Sequence, residues 1–311
     1  MLVYILYIVL GFILLVKGGD FLVDGSVAIA KRAKLSNMVI GLTVIGFGTS
    51  APELLVSAKA ALVGSSGIAI GNVVGSNIAN IALILGLTAI IFPIPASKST
   101  LRRDAPFMLL ATILLVAVGM YGTIGRLVGL VFVLMLVAFV TWQIVICRKN
   151  AQPEPEDATQ PMALWKALLL VVVSIAALVY GADILIKGAS GIASSLGTSE
   201  RIIGLTIVAV GTSLPELFAT VMAARKHQTD MALGNIIGSV TFNILCVIGV
   251  SSVICPIAQA NVGFVFDYFL MLGLAMLLLV FLYTKNTLER WEGFLLVLIY
   301  ALFIARTIYM S

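Results

Sequence analysis

The sequence has almost nothing with which to hold a soft metal. It contains one histidine and three cysteines. Cys147, Cys246 and Cys255 show no C-x-x-C spacing, and Cys246 and Cys255 lie in apolar surroundings, so all three read as packing or loop-edge residues. His227 stands beside Arg225 and Lys226 in a loop and reads as solvated. Charge is scarce too. Only 11% of residues are charged against 61% hydrophobic, which excludes a soluble core and describes a polytopic membrane protein. The net charge of +5 could suggest nucleic acid, but the basic residues fall between apolar segments, where they set topology. No nucleic-acid partner is expected; the lipid bilayer is. The apolar run from Leu2 lacks a basic leader and a small-residue cleavage site, so it reads as a first membrane span and not as a signal peptide.

What is present is a set of long apolar segments. A bilayer core needs about 20 apolar residues per helix. Ten segments qualify, at approximately 2–30, 36–63, 68–92, 104–120, 124–146, 164–193, 200–224, 230–255, 264–283 and 292–310. The first and sixth are long and carry ionisable residues partway along: Lys17, Asp20 and Asp24 in one, Asp183 and Lys187 in the other. They predict tilted helices whose charged side chains lie near an interface. The fold class expected is an all-α polytopic membrane protein of ten transmembrane helices.

The chain also repeats itself. Gly18 to Ile94 aligns with Gly181 to Ile257 at a constant offset of 163 without a gap. Between Met38–Ile94 and Arg201–Ile257, 23 of 57 positions are identical. Shared apolar bias does not place Pro52, Glu53, Asn72, Ser76, Asn80 and Pro93 over Pro215, Glu216, Asn235, Ser239, Asn243 and Pro256. Each half holds five spans, an odd number, so the second must enter the membrane the opposite way up, as in many secondary transporters. The expected organisation is one integrated membrane domain: a five-helix repeat over 1–146 with its motif region at 38–94, a linker over 147–163, and an inverted five-helix repeat over 164–311 with its motif region at 201–257.

Basic residues give an independent test. Lys31, Arg32 and Lys34, then Lys98, Arg102 and Arg103, Arg148 and Lys149, Arg225 and Lys226, and Lys285 and Arg290 all fall on one side of a ten-helix chain. The other side has chiefly Arg126 and Arg201. The positive-inside rule then puts both termini outside the cytoplasm of a plasma-membrane protein. The polar, proline-rich stretch from Asn150 to Pro161 becomes a cytoplasmic linker.

The chemistry is concentrated in G-T-S-x-P-E, which occurs at Gly48–Glu53 and again at Gly211–Glu216. Proline lacks the amide proton and clashes with the carbonyl four residues earlier, so each span must break or kink there. Hydrocarbon offers the freed carbonyls no partner. Of fourteen acidic residues, Glu53 and Glu216 are the two placed near the centre of an apolar span. A charge there costs about 2.5–3.5 kcal/mol on insertion scales. Two such carboxylates brought together repel unless protons or cations neutralise them. Thr49, Ser50, Thr212 and Ser213 supply hydroxyls close by, and the following spans place Ser76 with Asn80, and Ser239 with Asn243, on one helix face each. Gly71 with Gly75, and Gly234 with Gly238, allow close helix approach. The ligand set is all oxygen, which suits a hard cation such as calcium.

These motifs, in two inverted copies across ten spans, resemble the α-repeats of the cation/calcium antiporter superfamily, and within it prokaryotic sodium/calcium exchangers. The resemblance implies an antiporter, not an enzyme, whose site is built from the second, third, seventh and eighth spans while the long first and sixth spans slide to switch access. It implies Glu53 and Glu216 as shared ligands of Ca²⁺ and Na⁺, and carbonyl oxygens of Thr49 and Thr212 on calcium. Ser50, Ser76, Ser213 and Ser239, with the carbonyls of Gly46 and Ala209, would complete flanking sodium sites, and Asn80 and Asn243 would line the cavity. No cofactor is implied beyond the transported Ca²⁺ and Na⁺ as bound ions, and no obligate protein partner, since the site closes within a monomer. Several members carry aspartate where this chain has Asn243, and potassium-dependent members typically rely on an acid there. Proton/calcium exchangers usually show a glutamate in the phrase that here carries Gly75 and Gly238. Both departures favour Na⁺ over K⁺ or H⁺ as counter-ion; Ca²⁺/H⁺ exchange is the alternative. A channel with the same carboxylates fits less well, because filters are usually built by several subunits around a pore. An intramembrane protease would use aspartates and gives no reason for duplicated serine, threonine and asparagine.

Overall fold

Apolar segments that lie in hydrocarbon must satisfy their own backbone hydrogen bonds, and a helix does so within one segment. The computed structural model describes residues 1–149, 162–196, 211–258, 260 and 263–310, and it is helical almost throughout. The helices are α1 (Leu2–Ala33), α2 (Asn37–Thr49), α3 (Ala51–Leu62), α4 (Ser66–Ile91), α5 (Thr100–Met120) and α6 (Arg126–Lys149), followed by α7 (Leu164–Ser195), α8 (Leu214–Arg225), α9 (Thr229–Ile254), α10 (Val265–Lys285) and α11 (Arg290–Tyr309). Eight of them are long and apolar enough to cross a membrane, and the bent pair α2–α3 makes up to nine among the described residues. The first part of the expected span over 200–224 lies outside those residues, as does most of the expected linker over 147–163. Helix α6 itself runs three residues into that linker, to Lys149.

Two strands of two residues each, β1 (Ile94–Pro95) and β2 (Thr287–Leu288), pair antiparallel and tie the exit of α4 to the entry of α11. Pro93 leads into this tie, and Pro256 leads to Ile257, which bridges antiparallel to Ile124. Helices α4 and α9 stop at the residues before Phe92 and Cys255, which are both extended, with Pro93 and Pro256 next.

Burial sorts the spans. In α9, 83% of the apolar window is buried inside the protein and in α4 72%, whereas α1, α6 and α11 bury 22% each. So α4 and α9 form the centre, and the other three present most of their apolar surface outward. Sequence explains this. The central helices are rich in glycine and in small polar residues, which suit helix–helix contact more than lipid.

Helices α1 and α7 pack along their length through glycines spaced seven apart. A Cβ on Gly11 would lie 2.7 Å from the carbonyl oxygen of Gly181, one on Gly18 3.2 Å from that of Ser174, and one on Gly25 3.1 Å from that of Ala167. As the number rises along α1 it falls along α7, so the two helices run antiparallel. An ionic contact fastens α1 to the end of α8. Lys226, just past the end of α8, reaches Asp20 at 2.9 Å and Asp24 at 2.7 Å on α1. Burial lowers the Lys226 pKa, but hydrogen bonds and charge from Asp24 and Asp20 outweigh it and leave it above the ordinary value. The ammonium therefore stays charged through neutral pH, and its side of the contact is lost as pH rises through that raised value. Asp183 and Lys187, the pair at the matching positions of α7, are exposed and bond only one another along their own helix.

Replacing Gly11 with leucine drives a side chain into the α7 backbone. We expect Gly11→Leu to lower the thermal unfolding midpoint of the purified protein, by an overpacking cost of about 1–3 kcal/mol. Leucine at exposed Ile5, a position facing outward on the same helix, should leave the midpoint unchanged.

Candidate functional site

The two copies of the G-T-S-x-P-E phrase fold alike. Pro52 and Pro215 each sit at the second position of a new helix, where a missing amide proton is harmless. Ser50 and Ser213 precede those helices with matching backbone angles, φ −86° and ψ 4° for one, φ −92° and ψ 8° for the other. Between α2 and α3 the chain bends by 47°. Each break places a glutamate in the first turn of the following helix, Glu53 in α3 and Glu216 in α8, where the positive end of the helix dipole offsets part of its charge.

Both carboxylates are buried, at 2% and 1% exposure. Among the described residues, neither oxygen of Glu53 has a hydrogen-bond partner, and Glu216 Oε2 has none. Glu216 Oε1 accepts from the Ser50 hydroxyl at 3.4 Å, which joins the first phrase to the second. The two charges act on one another. Of two other buried carboxylates, Glu292 accepts the backbone N–H of Glu289 at 2.8 Å to cap α11, and Asp104, like Glu216, is bonded on one oxygen only, by Gln143. A carboxylate with no hydrogen-bond donor in a low-dielectric interior must take up either a proton or a counter-charge.

Neutral oxygens surround the pair. Thr49 Oγ1 lies 3.4 Å from Asn235 Oδ1 and 3.5 Å from Ser239 Oγ, and Ser239 Oγ lies 3.5 Å from the Gly46 carbonyl. These contacts sit at the outer limit for a hydrogen bond, so the hydroxyl lone pairs stay free for a cation. The Gly46 carbonyl also accepts the Ser50 amide at 3.1 Å, which uses one of its two lone pairs. Ser50, Ser76 and Ser213 are buried, and Thr212 is half-buried. Asn80 and Asn243 are buried at the start of wide, π-helical turns, Ala79–Leu85 in α4 and Asn243–Ile248 in α9. Such turns recur at functional sites. Neither amide atom of Asn80 has a partner, nor does Asn243 Oδ1. The remaining expected ligand, Ala209, lies outside the described residues. Among the described residues no three histidine, cysteine, aspartate or glutamate side chains cluster. The donor set is therefore two carboxylates with amide, hydroxyl and carbonyl oxygens, which fits a hard cation.

The structure adds residues that sequence reasoning left without a role. Asn72 Nδ2 donates to the Glu53 carbonyl at 3.2 Å and to Ser57 Oγ at 2.9 Å. Asn235 Nδ2 repeats this with the Glu216 carbonyl at 3.4 Å and Thr220 Oγ1 at 2.8 Å. Each asparagine thus holds the helix turn that carries its glutamate. The signal was available, since Ser57 and Thr220 are hydroxyls at the repeat offset of 163.

Comparison with known proteins follows the same lines. The family model for sodium/calcium exchanger protein matches residues 3–145 and 166–309. The chain is 33% identical to the sodium/calcium exchanger MaX1 of Methanosarcina acetivorans, covering 98% of both. It is 41% identical to the putative antiporter CaxA of Alkalimonas amylolytica over 82% of each chain. In structure it is similar to the sodium-calcium exchanger NCX_Mj soaked with zero Na⁺ and Ca²⁺, at a TM-score of 0.86, 35% identity, and coverage of 98% of this chain and 99% of that one.

The asparagine clamps make a graded prediction. Asn235 is fully buried and Asn72 is half-buried. Asn235→Leu should destabilise the purified protein by about 1–3 kcal/mol, the cost of orphaning buried polar partners, and Asn72→Leu by less. Thermal unfolding midpoints read the order.

Proposed function

The chain belongs to the sodium/calcium exchanger protein family, and on that premise we propose that it is a secondary antiporter exchanging Na⁺ for Ca²⁺ by alternating access at one midplane site shared by both ions. The observation that carries this reading is the pair of buried carboxylates, one from each repeat, with three of their four oxygens free of hydrogen bonds among the described residues. One Ca²⁺ or several Na⁺ neutralise the pair. The two loads need the same oxygens, so they compete. An empty site leaves two uncompensated charges at low dielectric, which makes the unloaded switch between access states costly and couples the fluxes.

The proposed architecture is ten transmembrane helices as two inverted five-helix repeats over 1–146 and 164–311, joined by a cytoplasmic linker. Support comes from α1 and α7, which occupy matching places in the repeats and run antiparallel, and from α3 and α8, whose bounds are offset by the repeat length of 163. The basic clusters put both termini outside the cytoplasm of a plasma-membrane protein. In this reading Glu53 and Glu216 are the shared ligands. Thr49, Thr212, Ser50, Ser213, Ser76, Ser239, Gly46 and Ala209 supply neutral oxygens, Asn80 and Asn243 line the cavity, and a monomer suffices without a cofactor. No residue has a catalytic role.

Radioactive calcium uptake into proteoliposomes loaded with Na⁺, K⁺, choline or a proton gradient tests the proposal. Uptake should require internal Na⁺, and Glu53→Gln and Glu216→Gln should each abolish it while the protein still elutes as a folded monodisperse peak. Uptake driven by the proton gradient alone reassigns the counter-ion. Calcium entry that needs no counter-ion points to a channel.

A further inference from the structure

The two repeats match around the site with one break in the pattern. Asn80 and Asn243 are equivalent positions, yet among the described residues only Asn243 has a hydrogen-bond partner. Asn243 Nδ2 donates to Asn77 Oδ1 at 3.1 Å, and Asn77 Nδ2 donates to Met271 Sδ on α10 at 3.6 Å. The position equivalent to Asn77 in the second repeat is Val240. All three members of the relay are 0% exposed.

The direction of the relay follows from the sulfur. A thioether has lone pairs and no proton, so it accepts and cannot donate. Asn77 must therefore turn its NH₂ group to Met271, which leaves its carbonyl oxygen for Asn243. Asn243 must then spend its NH₂ on Asn77, and its own Oδ1 is left buried and without a partner. Reversing both amides would set the Asn77 oxygen against the sulfur lone pairs and present an NH₂ group in place of the free oxygen. The segment Asn243–Ile248 packs against α3, the helix of Glu53. An NH₂ group presented there repels a cation, whereas an oxygen attracts it.

We propose that Asn77 is a positioning residue that fixes the amide of Asn243 so that its oxygen faces the transported cation, with Met271 fixing Asn77 in turn. This rests on Asn243 lining the proposed cation site. It makes the two halves of that site unlike: Asn243 is committed to accept from one side, while Asn80 is free to turn.

A double-mutant cycle read by calorimetric Ca²⁺ titration of the full-length purified protein tests it. A carboxylate at position 243 has an acceptor oxygen on either side and needs no orientation. Asn77→Val, which copies the second repeat, should weaken Ca²⁺ binding about tenfold with asparagine at 243 and less than about twofold in the Asn243→Asp background. Met271→Leu should act in the same direction with a smaller loss, rescued the same way, and it decides the matter if Asn77→Val fails to fold. Equal losses in both backgrounds mean that Asn77 only packs, and overturn the proposal. So does the absence of any loss. Wild-type protein that binds no Ca²⁺, or binds it equally as Glu53→Gln, removes the site reading itself along with the proposal. Ca²⁺ binding that vanishes in Glu53→Gln while the cycle is additive removes only the role of Asn77.

Discussion

Two buried carboxylates with three of their four oxygens unpartnered among the described residues, at the centre of an apolar bundle, are the constraint from which the rest follows. Each costs about 2.5–3.5 kcal/mol to place at mid-membrane on insertion scales, and their mutual repulsion adds to that. Protein interiors tolerate such groups when something supplies the missing charge. Glu292 shows the alternative, a buried carboxylate that receives a hydrogen bond from a backbone amide. Glu53 and the free oxygen of Glu216 receive none.

The scaffold serves that pair in several ways. Breaks at Ser50 and Ser213 place each glutamate in a first helical turn, where the dipole helps. Asn72 and Asn235 hold the carbonyls of those same residues, so the helix starts keep their position although the chain is interrupted. Glycine contacts bring the helices close enough for the oxygens to converge; a Cβ on Gly46 would lie 3.1 Å from the Ser239 amide nitrogen. Outside this centre, α1 and α7 pack closely, glycines of each helix meeting backbone and side chains of the other, such as Gly11 against Leu185 and Gly181 against Leu14. Lys226 holds α1 to the end of α8 by charge, while no ion pair among the described residues does the same for α7 and α3.

Much of this was legible in the sequence because the chain states it twice. The helix breaks, the buried glutamates and the polar faces at Ser76 with Asn80 and Ser239 with Asn243 all recur at a fixed offset, and chance does not repeat polar residues inside apolar runs. Helix limits followed from proline and from the end of apolar runs, within a few residues. The asparagine clamps were visible as identities but had no role, since a side-chain-to-backbone bond depends on how two helices turn toward each other. The link from Met271 through Asn77 to Asn243 was illegible for a different reason. It exists in one half only, so the repeat hides it, and it joins residues 166 and 194 positions apart. Buried Asp104 was missed because it stands at the start of its span beside Arg102 and Arg103, where a charged residue reads as interfacial.

The central claim is that one pair of carboxylates serves both loads. Calorimetric titration of Ca²⁺ into the purified protein at stepped Na⁺ concentrations, with ionic strength held by choline, tests it most directly. Competition for a shared site predicts that the apparent Ca²⁺ Kd rises with Na⁺ more steeply than in proportion, since several Na⁺ replace one Ca²⁺, and that saturating Ca²⁺ restores full occupancy. A Ca²⁺ affinity indifferent to Na⁺ would contradict the account, because the two ions would then hold separate oxygens.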